Sequence, residues 1–339
     1  MGKKVSLKDI AEALDLSKAT VSRILSRGEF KGFSPDTIKR VKEYAESVNY
    51  RPNLLARSLS VGTSSTIGLV IPFLADTFYA QLAQAIELEA ARKKYTLIVC
   101  SSEGDGNKEY ELIKILTSKQ VDGIILASTK LSMKSVELLS KSHLPFVLVD
   151  RYYPEMDSNY VIVNNKECSY EVVSYLGKMG SKKIALLTTD EHLYVMKQRI
   201  EGYHDALKEL NLEANPDLKV LVNRHDYKTD IIKKLDNLFD KDLDVDAFFF
   251  TTHYLALETI RYFIKHKIDY HNRFKMGCFH YTSGLDVLAP EMCMTEMNIE
   301  KMGVEAVNIL ADNIQYGPQF EFKKVELKNN FHSSMEIDE

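Results

Sequence analysis

The sequence lacks the usual marks of catalysis, export and metal binding. Its four cysteines, Cys100, Cys168, Cys278 and Cys293, form neither a CxxC pair nor any other metal-ligand spacing. They read as reduced thiols, with no disulfide framework and no metal site. No window approaches 18 apolar residues, which excludes a membrane-spanning helix. The first residues are charged and polar, with no apolar signal region, so a cytoplasmic location is expected. There is no G-x-S-x-G elbow, P-loop or G-x-G-x-x-G fingerprint, and the acids and histidines form no paired constellation. The reading is a protein that is not an enzyme and needs no cofactor.

What is present is unevenly distributed. The chain has 339 residues, comfortable for two or three domains, and a formal charge of −4. Residues 1–60 hold 12 Lys/Arg against 7 Asp/Glu, while the rest holds 32 against 41. A basic head on an acidic body suits a polyanionic partner for the head alone.

The head carries two short helical patterns joined by a tight turn. Ser6 and Asp9 have capping-box spacing, and Leu7, Ile10, Ala11 and Leu14 share one helical face. Ser17 can cap a second helix, on which Thr20, Val21, Ile24 and Leu25 continue an apolar stripe. This is the spacing of a helix-turn-helix, whose second helix enters the DNA major groove. Lys18, Ala19, Ser22 and Arg23 lie on that helix's open face, Lys18 and Ala19 at the end that approaches base edges. Arg23 can present a fork to guanine or phosphate, and Ala19 a methyl to thymine. An ordinary helical hairpin with solvated charges has the same pattern. Ser34-Pro35 opens a third helix, with Ile38, Val41, Tyr44, Ala45 and Val48 on one face.

The run from Ser6 to Leu25, S-L-K-D-I-A-E-A-L-D-L-S-K-A-T-V-S-R-I-L, and that from Asn49 to Leu59, N-Y-R-P-N-L-L-A-R-S-L, resemble the N-terminus of LacI/GalR-family transcription regulators. The family pattern is T-x-x-D-V-A-x-x-A-G-V-S-x-x-T-V-S-R-V-L-N, then G-Y-x-P-N-x-x-A-R-x-L. Leu14-Asp15 stands where Ala-Gly is common, Ser26 where Asn is common, and Arg27 to Phe33 is slightly longer than usual. The resemblance covers nearly the whole chain. It implies Ser6, Ser17, Lys18, Ala19, Thr20, Ser22 and Arg23 as DNA-binding residues, joined by Asn53, Ala56, Arg57 and Leu59 of a hinge helix. A leucine at the position of Leu59 would wedge into the minor groove, unstacking bases in return for a bent duplex.

From Thr66 the pattern alternates strands and helices, as in parallel α/β units. The expected organisation is an all-α head at 1–50, a hinge and linker at 51–65, and a ligand-binding and dimerisation body at 66–339. The body is read as two parallel-sheet lobes of periplasmic-binding-protein type. The first takes about 66–158 and 296–317, and the second about 159–295 and 318–339. The late helix's place in the first lobe, and the tail's in the second, are implied by the resemblance.

Ligands of such folds bind at the carboxyl ends of the strands. That rule nominates Phe78, Tyr79, Ser128 and Asp150 in the first lobe, and Arg199, Tyr227, His253 and His280 in the second. The resemblance adds that R-x-x-G-Y, Arg199 to Tyr203, matches the family's effector-binding arginine motif. It also shows two departures. Thr252-His253 replaces the usual N-D, and C-F-H-Y from Cys278 replaces G-[FY]-[DN]-[DN]. Two acceptors become two potential cations beside Arg199, which favours an anionic ligand such as a sugar acid or sugar phosphate. Neutral, hydrogen-bonded histidines are the bland alternative.

The functional expectation is a repressor of carbohydrate-related genes. It would bind a pseudo-palindromic double-stranded operator as a homodimer and respond to a small sugar-like effector, with no membrane partner. A solute-binding protein of a sugar transporter shares the body, but would need an export signal and has no use for the basic head.

Overall fold

The computed structural model describes residues 5–27, 30–50, 62–129, 133–189, 192–317 and 321–333. They form two compact units: residues 1–66 with 120–122, and the remainder.

In the first unit three helices surround six buried side chains: Ile10, Ala11, Val21, Ile24, Val41 and Ala45. Helix α1 (Leu7–Leu14) opens with the full capping box, Ser6 accepting from Asp9 N and Asp9 accepting from Ser6 N. It ends on Asp15 at φ +54°, in the left-handed region. Glycine is the usual residue for that conformation, and Asn and Asp are among the few others that adopt it readily. This is why Asp15 can stand where the resembling sequences carry Gly. Ser17 caps α2 (Lys18–Ser22), which widens into a π turn over Arg23–Arg27. Ser34 caps α3 (Pro35–Ser47), with Pro35 in its first turn.

The second unit contains two six-stranded sheets. In chain order its elements are β1 (Thr66–Ile71), α4 (Thr77–Arg92), β2 (Thr96–Ser101), α5 (Gly106–Ser118), β3 (Gly123–Leu126), α6 (Met133–Ser142), β4 (Phe146–Val149) and β5 (Tyr160–Val163). There follow α7 (Asn165–Lys178), β6 (Ile184–Thr188), α8 (Tyr194–Glu209), β7 (Lys219–Leu221), α9 (Tyr227–Asp240), β8 (Ala247–Phe250), α10 (His253–Lys265), α11 (Tyr270–Arg273) and β9 (Lys275–Cys278). Last come α12 (Leu285–Leu288), β10 (Cys293–Glu296), α13 (Ile299–Tyr316), β11 (Lys324–Leu327) and β12 (Asn330–His332). The sheet orders are β11-β5-β4-β3-β1-β2 and β12-β10-β9-β8-β6-β7. Central strands such as Gly123–Leu126 and Ala247–Phe250 are buried throughout, as parallel strands covered on both faces must be.

Two lobe boundaries differ from the sequence reading. Tyr160–Val163 does not open the second lobe; it pairs in parallel with β4 in the first sheet. A loop without a helix joins β4 to β5, which looks like a break in α/β alternation but here carries the chain back across the sheet end. The tail does not go mostly to the second lobe either. Lys324–Leu327 pairs with β5 in the first sheet, and Asn330–His332 alone joins the second. The open edge of β5 supplies the partner, a long-range pairing that local pattern cannot specify. The chain therefore crosses between lobes after β5, after β10 and after β11. The first two crossings are each capped by an asparagine in a similar conformation, Asn164 at φ −73°, ψ 82° and Asn298 at φ −76°, ψ 74°.

Helices α7 and α8 pack backbone to backbone at Gly202. A Cβ there would lie 2.2 Å from the Lys166 carbonyl oxygen and 2.9 Å from Ser169 Cβ. The obstacle is main chain, which cannot swing aside. Gly202→Ala is expected to cost about 2 kcal/mol and to lower the melting temperature of the two-lobed unit by roughly 4–8 °C in scanning calorimetry.

Candidate functional site

The head's candidate residues divide by what their side chains do. Ser6 and Ser17 serve the helix starts: Ser6 Oγ accepts from Asp9 N at 3.3 Å and Ser17 Oγ from Thr20 N at 3.0 Å. Ser17 and Thr20 also share a hydroxyl contact of 2.9 Å. Lys18 and Ala19 are exposed, and Ser22 is half-exposed. Arg23 is exposed too, its guanidinium lying 4.8 Å from the Phe33 ring centroid. Asn53, Ala56, Arg57 and Leu59 lie outside the described residues.

In the body, strand carboxyl ends from both sheets converge on one cleft. Phe78, Tyr79, Asp150, Arg199, His253 and His280 all line it. Ser128 and Tyr227 do not. The Ser128 hydroxyl turns to Tyr153 Oη at 2.8 Å and Glu109 Oε1 at 3.2 Å, in a buried network that also takes the Thr129 hydroxyl. Tyr227 opens α9 and packs on Tyr254, ring centroids 4.9 Å apart. The strand-end reasoning passed over Phe73, Asp76, Arg151, Arg224 and Tyr254, which also line the cleft. Arg224, in the loop after β7, satisfies the same positional rule and was legible. Asp76 caps α4 by accepting from Phe78 N at 3.1 Å, a role that gives no sequence hint of the cleft.

Arg199 is the most constrained side chain here. Nε donates to Asn165 Oδ1 at 2.8 Å and Nη1 to the Thr251 carbonyl at 2.7 Å, while the guanidinium lies 3.6 Å over Phe279. Burial pulls its pKa down to about 10, partly opposed by the charge of Asp150. Asp150 holds φ +61° at the end of β4, accepts from Tyr79 Oη at 2.7 Å and pairs with Arg151 at 3.6 Å.

The two histidines meet Nδ1 to Nδ1 at 3.0 Å. Such a contact needs one protonated and one bare nitrogen. His253 Nε2 faces Asp76 Oδ1 at 3.7 Å, so a proton on Nε2 of His253 and on Nδ1 of His280 satisfies both contacts. Burial holds His280 well below the ordinary histidine pKa, reinforced by His253 and Arg199. Burial lowers His253 too, against the pull of Asp76. Both rings are therefore on the neutral side near pH 7, the alternative the sequence left open beside two potential cations. The positive charge in the cleft comes from Arg151, Arg199 and Arg224, set against Asp76 and Asp150. Among the described residues no group of three His, Cys, Asp or Glu could hold a metal ion.

Histidines with depressed folded-state pKa values bind fewer protons than the unfolded chain below about pH 6.5. Stability is thus expected to fall as pH drops from 7.5 to 5.5. His280→Asn removes part of that proton uptake, and its melting temperature should change less than that of the wild type across the same window.

Comparison with known proteins gives a consistent result. Residues 6–53 match the model for bacterial regulatory proteins of the lacI family, and residues 64–260 that for periplasmic binding proteins and the sugar binding domain of the LacI family. Catabolite control protein A of Priestia megaterium is 29% identical over 307 residues, covering 90% of this chain and 91% of that one. The HTH-type transcriptional repressor PurR of Aliivibrio salmonicida is 32% identical over 213 residues, which span 62% of this chain and 63% of PurR, just under two thirds of its length. Among solved structures, the Lac repressor bound to ONPG in its repressed state aligns with a TM-score of 0.83 at 18% identity, covering 98% of this chain and 99% of that one. The transcriptional regulator CelR in complex with cellobiose aligns with a TM-score of 0.72 at 21% identity, covering 97% and 98%. These identities speak for the fold. No helix among the described residues is long and apolar enough to cross a membrane. With one family model matching the helical head and a second matching more than half the chain across both lobes, the chain belongs to the LacI family of bacterial regulatory proteins.

Proposed function

We propose that the protein is a sequence-specific DNA-binding repressor whose hold on its operator is set by a small carbohydrate-like, anionic ligand in the cleft. The observation that carries this reading is the pairing, in one chain, of a capped helix-turn-helix exposing Lys18, Ala19 and Arg23 with a strand-end cleft built on a buried arginine. Relatives described as transcriptional repressors support the repressor reading, and a structurally similar regulator in complex with cellobiose supports the carbohydrate-like part of the ligand reading. A transporter's solute-binding protein would use the cleft but not the head.

In this account α2 lies in the major groove. Lys18 and Arg23 supply charge to phosphates or guanine, and the capping serines fix the helix start that approaches the base edges. A homodimer presents two such heads to a two-fold operator; the structurally similar Lac repressor has been solved as a dimer bound to operator. In the cleft, aromatic rings take the apolar faces of a sugar while Arg199 receives an oxygen that carries charge. A ligand acts only through its different affinity for two states of the protein. Here those states differ in the angle between lobes, passed to the heads through the segment at 51–65.

The test is selection of bound duplexes from a random pool by the full-length chain. The expected outcome is one enriched, near-palindromic sequence, with log affinity falling against log salt at a slope of about −6 to −10. The double variant Lys18→Ala, Arg23→Ala should lose at least about tenfold in duplex affinity while keeping the cleft's ligand binding. A pool that emerges unenriched would overturn the reading.

A further inference from the structure

The cleft contains an ion pair between its two lobes. Asp76 lies at the start of α4, on the first-sheet side. Arg224 follows β7, on the second-sheet side. Asp76 Oδ2 and Arg224 Nη2 are 3.2 Å apart, with side chains 10% and 12% exposed. The guanidinium also lies over aromatic rings: the Phe73 centroid of the first lobe is 4.4 Å from it and the Tyr254 centroid of the second 3.9 Å. The other Asp76 oxygen faces His253 and takes the Phe78 N–H. Away from the cleft lining, Tyr152 meets Tyr194 edge-on at 5.3 Å, again lobe to lobe.

These contacts leave a space of about 60 Å³. Pockets for small organic ligands run from about 300 Å³ upward. A sugar needs more room than this, and parting Arg224 from Asp76 makes room between the lobes. A guanidinium with little access to water is costly without a counter-charge. A group that takes the place of Asp76 and carries an oxyanion restores that counter-charge. Asp76 is not stranded by the exchange, because it keeps the Phe78 N–H and the His253 ring.

We propose that the Asp76–Arg224 pair is a displaceable clasp between the lobes, and that it selects ligands bearing a carboxylate or phosphate, whose oxygens replace those of Asp76 on the Arg224 guanidinium. The inference rests on reading the cleft as a ligand site and names the chemistry that site requires. It assigns Arg224 a direct contact with the ligand and Asp76 the role of internal competitor.

The two residues then have opposite effects, which a merely structural ion pair would not show. Titration calorimetry of the full-length chain without DNA would use galacturonate, glucose 6-phosphate and glucose as probes, with wild type, Asp76→Asn, Arg224→Gln and Arg224→Lys. Asp76→Asn removes the competitor and should tighten the better anion by about tenfold; Arg224→Gln should weaken it by at least as much, with Arg224→Lys between. Glucose should bind more weakly than that anion to the wild type and respond less to either change. The uronate and phosphate arms distinguish a sugar acid from a sugar phosphate. Weakening by both Asp76→Asn and Arg224→Gln overturns the proposal, as does failure of both anions to bind the Asp76→Asn protein at millimolar concentration. Melting curves of each variant confirm that it is folded, and Arg224→Lys keeps the comparison open if Arg224→Gln is not. A failure of the DNA-binding reading would appear separately, as an absence of duplex preference with these affinities unchanged.

Discussion

A guanidinium buried on neutral partners is the constraint around which the cleft is built. Arg199 leaves α8 and reaches three places at once: the first residue of α7, the end of β8 and the ring that follows β9. None of those three contacts carries a negative charge. Hydrogen bonds and a ring face hold the cation in position, while its charge is left to whatever enters the cleft. Asp150, on the other lobe, is the opposite charge that most affects it. The left-handed backbone of Asp150 and its bonds to Tyr79 and Arg151 fix that carboxylate in turn. Charge on each lobe is thus oriented before any ligand arrives, which is what a site specific for a polar molecule requires.

The same physics separates the histidines from the arginines. A histidine in an apolar, cation-rich surrounding gives up its proton, as burial and neighbouring charge dictate. An arginine under the same burial keeps its own, because its intrinsic pKa is so high. The His253–His280 pair is therefore a neutral hydrogen-bonding surface. By the resemblance drawn from the sequence, it stands where an acid and an acid or amide are common, and it adds no charge of either sign to the cleft.

Local signals were legible in the sequence and long-range pairings were not. Ser6, Ser17 and Ser34 cap the helices they were read to cap, because capping depends on neighbours within three residues. The strand-end rule located Phe78, Tyr79, Asp150, Arg199, His253 and His280, since parallel α/β topology places those ends at a common cleft. It misplaced Ser128, whose direction is set by Glu109, a residue on a different element. It missed the clasp because Asp76 and Arg224 are 148 residues apart and each has an ordinary local explanation. Strands β5 and β11 went to the wrong lobe for a related reason: each is defined by the other, across 164 residues of chain, rather than by its own pattern.

The central claim is that one equilibrium connects the cleft to the head. Reciprocity tests it most directly: duplex affinity measured with and without saturating ligand, and ligand affinity measured with and without saturating duplex. Linkage requires both to change by the same factor, expected at about 5–150-fold. A ligand that binds the cleft equally well whether or not the head holds DNA would contradict the account.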